Sequence, residues 1–122
     1  MTEVPRVLVV DDDPAFLAYV KDGLASAVAV VARTPLEALW HLERDRFGVV
    51  MCDLVFGDVD GRHLLEVVRE RWPVTARILV TGLGARLHGT IASDFLPAAH
   101  AVILKPCDVA ALGEVIADLQ PC

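Results

Sequence analysis

Five short apolar runs, each followed by a stretch with helical periodicity, restrict this chain to one kind of architecture. The runs are Arg6 to Val10, Val28 to Ala32, Gly48 to Cys52, Arg77 to Val80 and Ala101 to Leu104. They are dominated by valine, isoleucine, leucine and alanine, and the first and third read as strands covered on both faces. Strands separated by helices need crossovers, which join parallel neighbours and are right-handed almost without exception. The expectation is an α/β fold: a single parallel sheet between helical layers.

The helix signals agree with that alternation. Asp13 before Pro14 predicts an N-cap with proline in the first helical position. Phe16, Leu17, Val20 and Leu24 then repeat at helical spacing, with Lys21 and Asp22 on the wet side. Thr34, Pro35 and Glu37 make a capping box, and Leu36, Leu39, Trp40 and Phe47 are expected to supply the apolar face behind it. Leu64, Leu65 and Val68 mark a third helix that Pro73 closes after Trp72, and both tryptophans are expected to pack rather than to stack on a ligand. The stretch 82–98 carries Gly84, Gly89 and Pro97, so its helix has the weakest intrinsic propensity. Asp108 can cap a last helix bearing Leu112, Val115, Ile116 and Leu119.

At 122 residues, 55% hydrophobic and 23% charged, the chain is expected to form one domain with one substantial core. Its formal net charge of −6 argues against general binding to nucleic acid or acidic membrane, and so points to a protein partner. There is neither a basic leader nor a run of roughly 20 apolar residues, which predicts a cytoplasmic location. Cys52, Cys107 and Cys122 show no metal-ligand spacing and no disulfide framework, and Cys52 is read as core. His41, His63, His88 and His100 are scattered without ligand spacing and receive no chemistry.

Polar residues follow these runs in a telling way. Asp11 and Asp12 follow the first, Asp53 the third, Thr81 the fourth and Lys105 the fifth. In an open parallel sheet all carboxyl ends face one edge, so residues spread over the whole chain would converge on one crevice. Two carboxylates about 5 Å apart repel by roughly 3 kcal/mol at an effective dielectric near 20, so a cluster of them calls for a cation. Only Asp13 has a strong capping role, which leaves Asp11 and Asp12 unexplained as turn residues. Asp58 and Asp60 are read as a solvated acidic loop. Acids, a hydroxyl and an ammonium group around a magnesium ion would make a phosphoryl-acceptor set.

The segments Val9-Val10-Asp11-Asp12-Asp13-Pro14, Asp53 to Gly61, Leu79-Val80-Thr81-Gly82 and Leu104-Lys105-Pro106 resemble, in order and spacing, the receiver domain of two-component response regulators. The likeness covers nearly the entire chain as one receiver domain, residues 1–122. It implies a doubly wound, flavodoxin-like, five-stranded sheet of order 2-1-3-4-5 with helices on both faces. It makes Asp53 the phosphoacceptor for a histidine kinase's phosphohistidine. By the same resemblance Asp12 would bind Mg²⁺ (or Mn²⁺) directly and Asp11 through a water. Asp53 and the Val55 main-chain carbonyl would add oxygens. The Thr81 hydroxyl, the Lys105 ammonium and the Gly82 amide would hold the phosphoryl group, and the Lys105–Pro106 bond would be cis. The implied partners are a sensor histidine kinase or phosphotransfer protein and a downstream effector or output domain. Signalling, and homodimerisation by analogy, would use the face of the fourth helix, fifth strand and fifth helix. Such a protein is a switch rather than an enzyme.

The departures from the family pattern concentrate in the output half. Gly57 stands where proline is usual, Val102 where many receivers carry an aromatic switch residue, and Cys107 where phenylalanine is usual. The Thr81 to Lys105 interval is about two residues longer than typical, by the same resemblance. Val55 and Leu83 stand where the family tunes hydrolysis of the aspartyl phosphate, and neither can orient a water, which predicts slow self-dephosphorylation. Gly57 and Val102 also keep open an alternative, a phosphorylation-independent interaction module. A small phosphohydrolase is disfavoured, because no second acid is positioned as general acid/base beside Asp53. The chain ends just after its last helix, as expected of a stand-alone receiver or of one cut from a longer regulator.

Overall fold

The computed structural model describes residues 4–24, 27–56, 59–82 and 98–119. The expected helix over 82–98, together with Gly57, Asp58, Leu83, His88 and Cys122, lies outside the described residues, Gly82 and Ala98 excepted. The apolar runs form β1 (Arg6–Val10), β2 (Val28–Ala32), β3 (Val49–Asp53), β6 (Ala76–Thr81) and β7 (Ala101–Leu104). They pair in parallel in the order β2-β1-β3-β6-β7, which is the expected 2-1-3-4-5 order of the doubly wound α/β fold. A two-stranded antiparallel hairpin, β4 (Val55–Phe56) with β5 (Val59–Asp60), follows β3 and was not foreseen.

The described helices are α1 (Pro14–Gly23), α2 (Pro35–Arg44), α3 (Gly61–Arg71) and α4 (Val109–Leu119), the last being the fifth helix of the sequence pattern. Each starts on an oxygen-bearing side chain that satisfies an orphan amide. Asp13 accepts from the Ala15 N–H, Thr34 from Glu37, Asp60 from Arg62 and Asp108 from Ala110. Each such cap is worth about 1 kcal/mol. Among the described residues no helix is long and apolar enough to cross a membrane.

The continuous apolar runs of β1, β3 and β6 are explained by burial on both sheet faces, whereas the edge strands β2 and β7 are partly exposed. Val7, Val9, Val49, Met51, Ile78 and Val80 pack with Leu17 and Val20 of α1 and Leu112 and Ile116 of α4. The alternate residues Leu8, Val10, Val50, Cys52 and Leu79 pack with Ala38 and Leu42 of α2 and Leu64, Leu65 and Val68 of α3. A fully buried leucine such as Leu65 contributes about 2 kcal/mol of transfer free energy.

The expected face of α2 needs correction. Ala38 and Leu42 point inward, with Leu39 partly buried, while Leu36 is 78% and Trp40 52% exposed. Trp40 lies about 200° around the helix from Ala38, on the far side from the core. The Arg44 guanidinium covers its ring at 4.0 Å, so the tryptophan is shielded without being buried. Trp72, in contrast, packs against the core as expected.

Candidate functional site

Sheet register delivers the polar residues to one edge. Val10 pairs with Cys52, Asp53 with Val80 and Thr81 with Leu104, so the residues that end or follow these strands lie side by side. The Lys105 N–H donates to the Thr81 carbonyl at 2.7 Å, extending the β6–β7 pairing by one step. The Lys105–Pro106 peptide bond is cis, as the resemblance implies.

Asp11, Asp12 and Asp53 each present a carboxylate oxygen within 4.8 Å of the others. Asp11 is 1% exposed and both of its oxygens are engaged: Oδ1 accepts from the Asp13 N–H at 3.0 Å, and Oδ2 meets Lys105 Nζ at 2.5 Å. The same ammonium lies 3.7 Å from Asp53 Oδ2. Asp12 is exposed, and its main-chain carbonyl accepts from Arg33 at the end of β2, at 3.2 Å. Thr81 is buried at the end of β6. Gly82 is exposed beyond it, with open space where a Cβ would stand. Val55 sits exposed in β4, two residues past Asp53.

The electrostatics follow from that crowding. Burial, then the Asp11 charge, raise the Asp53 carboxyl from 3.8 to about 6, against the opposing pull of Lys105 and the Leu54 amide. Burial draws the Lys105 ammonium down, but its hydrogen bond to Asp11 and the nearby carboxylates outweigh that and raise it. Three carboxylates against one ammonium leave two negative charges, the complement of a divalent cation. Octahedral magnesium takes hard oxygen ligands and keeps several waters, so an all-carboxylate donor set fits it in kind.

Other expectations resolve around the site. Cys52 is fully buried, and burial together with Asp53 pushes its thiol well up, so it is an inert core residue. Asp60 caps α3 and pairs with Arg62 at 3.1 Å instead of extending the acid cluster. His100 Nδ1 accepts from the Arg77 N–H at 3.0 Å, a structural role at the opposite end of the strand. Sequence spacing did not reveal Phe16 as a neighbour of the site; its ring centroid lies 4.1 Å from Lys105 Nζ.

Residues 7–117 match the family model of the response regulator receiver domain. The chain belongs to that family. Receiver domains are the signalling, phosphoacceptor domains of two-component systems, bind Mg²⁺ at an aspartate cluster, and act with histidine kinases and effectors. The CheY-like receiver domain protein from Methanospirillum hungatei is 31% identical, with a TM-score of 0.84 over 95% of this chain and 93% of that one. The BeF3-activated DrrB receiver domain is 24% identical, with a TM-score of 0.83 over 96% of this chain and 97% of that one. The chemotaxis response regulator CheY4 of Vibrio cholerae is 20% identical, with a TM-score of 0.82 over 97% and 100%. At these two lower identities the likeness speaks for the fold alone. No curated protein matches the chain.

Proposed function

We propose that residues 1–122 form one receiver domain that works as a phosphorylatable switch, with Asp53 as the acceptor. The observation that carries this reading is the ammonium of Lys105, 2.5 Å from Asp11 and 3.7 Å from Asp53, inside a cluster of three carboxylates. A cap or surface acid has no use for such an arrangement.

In this reading an Asp53 carboxylate oxygen attacks the phosphorus of a kinase or phosphotransfer protein's phosphohistidine. The new O–P bond forms as the P–N bond breaks, and the departing imidazole nitrogen takes up a proton. The Lys105 ammonium, the Thr81 hydroxyl and the Gly82 amide stabilise the transferred group by charge-assisted hydrogen bonds. Asp12, Asp53 and the Val55 carbonyl would hold Mg²⁺, or Mn²⁺. Asp11, whose oxygens already serve Asp13 and Lys105, would reach it through a water. The bound cation supplies charge neutralisation that lets an anionic nucleophile meet an anionic donor.

Phosphate then favours whichever conformation lets Thr81 and Lys105 approach it best. The output surface is assigned to the region from Thr81 through α4, including the fourth helix of the sequence pattern and β7, for a protein effector or an output domain, and for homodimerisation. A cytoplasmic location goes with a kinase partner. Each molecule accepts one phosphoryl group, so it is not an enzyme in the usual sense.

Intact-mass measurement after incubation with acetyl phosphate and Mg²⁺ tests the reading. One added phosphoryl group is expected on the parent and none on Asp53→Asn. An unmodified parent would overturn the acceptor role and leave a phosphorylation-independent interaction module.

A further inference from the structure

Lys105 has a long, flexible side chain that must be held near Asp53 and still be able to leave Asp11 for a phosphoryl oxygen. Three separate contacts tie it and its loop to one face of α1. The Phe16 ring lies 4.1 Å from the ammonium. One turn on, the Tyr19 hydroxyl donates to the Cys107 carbonyl at 3.0 Å and accepts from the Val109 N–H at 3.3 Å. One further turn on, a Cβ at Gly23 would come within 2.7 Å of Val109 Cγ1, so α1 and the start of α4 touch with no room to spare. Residues 16, 19 and 23 follow the i, i+3, i+7 spacing of a single helix face.

We propose that this α1 strip positions Lys105 for phosphoryl transfer, with Phe16 as a positioning residue for the ammonium and Tyr19 as the clamp on the Lys105–Val109 loop. The proposal rests on the role given to Lys105 above and adds what controls that role. A ring face attracts an ammonium ion without taking one of its N–H groups in a directed bond. A third carboxylate there would trap the cation, whereas a leucine would leave that flank without attraction. Phe16 therefore holds Lys105 at the site and leaves its donors to be shared among Asp11, Asp53 and the incoming group. The clamp acts at a different point. By bridging a carbonyl and an amide on either side of Asp108, Tyr19 fixes the origin from which the lysine reaches inward.

Two kinds of measurement test the strip. The first is the initial rate of phosphoryl uptake from acetyl phosphate with Mg²⁺, for Phe16→Leu and Phe16→Tyr. Leucine is expected to slow uptake about five-fold, and tyrosine, which keeps the ring face, to stay within about two-fold of the parent. An unchanged leucine variant, or equal slowing in both, would overturn the positioning role, since general packing loss would account for the latter. The second readout needs no phosphoryl transfer. In the metal-free parent the Lys105 Hε resonances should be displaced upfield by the Phe16 ring current and return in Phe16→Leu. In Tyr19→Phe, exchange of the Val109 amide should speed up about ten-fold. Undisplaced Lys105 resonances in the parent, or a Val109 amide indifferent to the Tyr19 hydroxyl, would overturn the strip. If the parent takes up no phosphoryl group, the acceptor role of Asp53 fails and these resonances still decide whether α1 holds the lysine.

Discussion

Asp53→Asn should stabilise the metal-free protein near neutral pH, because the site gathers more negative charge than Lys105 offsets. Burial and the Asp11 charge raise the Asp53 carboxyl from 3.8 to about 6. A displacement of that size corresponds to about 3 kcal/mol of unfavourable interaction with the ionised form. The carboxylate is 11% exposed, so water still reaches it, and we discount this to about 1–2 kcal/mol for screening. The folded value lies above the unfolded one. Between about pH 4 and 6 the folded state therefore keeps a proton that the unfolded state releases, and the parent loses stability as pH rises through that window. Above it the loss is complete. Urea unfolding in EDTA at pH 8 should thus show the asparagine variant more stable by about 1–2 kcal/mol, equivalent to roughly 5 °C in Tm. The advantage should fall to roughly a third by about pH 4.5, where the folded carboxyl is mostly protonated and the unfolded one still mostly ionised. Millimolar Mg²⁺ should reverse the order at pH 8, by binding the folded parent more tightly than the variant. An advantage that is absent at pH 8, or equal at both pH values, would refute the account of the site as a cluster of mutually repelling carboxylates.

The remaining predictions touch other supports of the site. Gly61 opens α3 where a Cβ would collide with the Asp53 carbonyl, so Gly61→Ala should lose about 1–3 kcal/mol in urea unfolding and slow phosphoryl uptake by displacing Asp53. Unaltered values would mean that the start of α3 yields freely. Lys105→Met should destabilise the metal-free protein by about 2 kcal/mol by leaving buried Asp11 unpaired, and adding Asp11→Asn should recover most of the loss. Additive effects in that double-mutant cycle would deny the pair its coupling. With apolar Val55 exposed beside the acceptor, the phosphorylated parent should lose its label slowly, and Val55→Glu or Val55→Asn should change that rate. Rapid loss from the parent without a phosphatase would count against the assignment.

Most of the architecture was legible because both-face burial leaves an unambiguous mark. A run such as Val7 to Val10, β-branched, too short for a helix and ended by acids, reads as a covered strand, and the caps at Asp13, Thr34 and Asp108 start their helices where the sequence places them. Leu36 and Trp40 misled because apolar spacing alone does not say which of two stripes on a short helix faces the sheet. Ala38, too small to stand out, takes the inward place and lets α2 approach closely. The β4–β5 hairpin was missed for a related reason: two-residue strands are set by pairing across a turn, not by periodicity. The strand-end rule places Asp11, Asp53, Thr81 and Lys105 at one edge of the sheet, and the register brings them there. It could not find Phe16 and Tyr19, which reach the Lys105 loop from a helix nearly ninety residues away. A half-buried aromatic on an amphipathic helix looks the same in sequence whether it serves the core or a cation.

On the proposed reading, a route from Asp53 to an output surface would have to work without the aromatic switch residue that many receivers carry. Val102 pairs with Leu79 in the β6–β7 ladder and packs against the core formed with α2 and α3. Branching at Cβ restricts its χ1, so it cannot swing between a buried and an exposed position as a tyrosine could. One link between Thr81 and Lys105 is main chain: the Lys105 N–H on the Thr81 carbonyl joins the two residues that would meet the phosphoryl group. A pull on either is therefore felt along both strands. Val102→Ala should then cost about 1–2 kcal/mol of stability through the lost packing, yet leave the signalling response in place. With BeF3⁻ and Mg²⁺ added, the same β6, β7 and α4 amides should shift in the variant as in the parent. A variant whose amides no longer respond, although its fold and BeF3⁻ binding persist, would show that the valine side chain carries the signal and that main-chain coupling is insufficient.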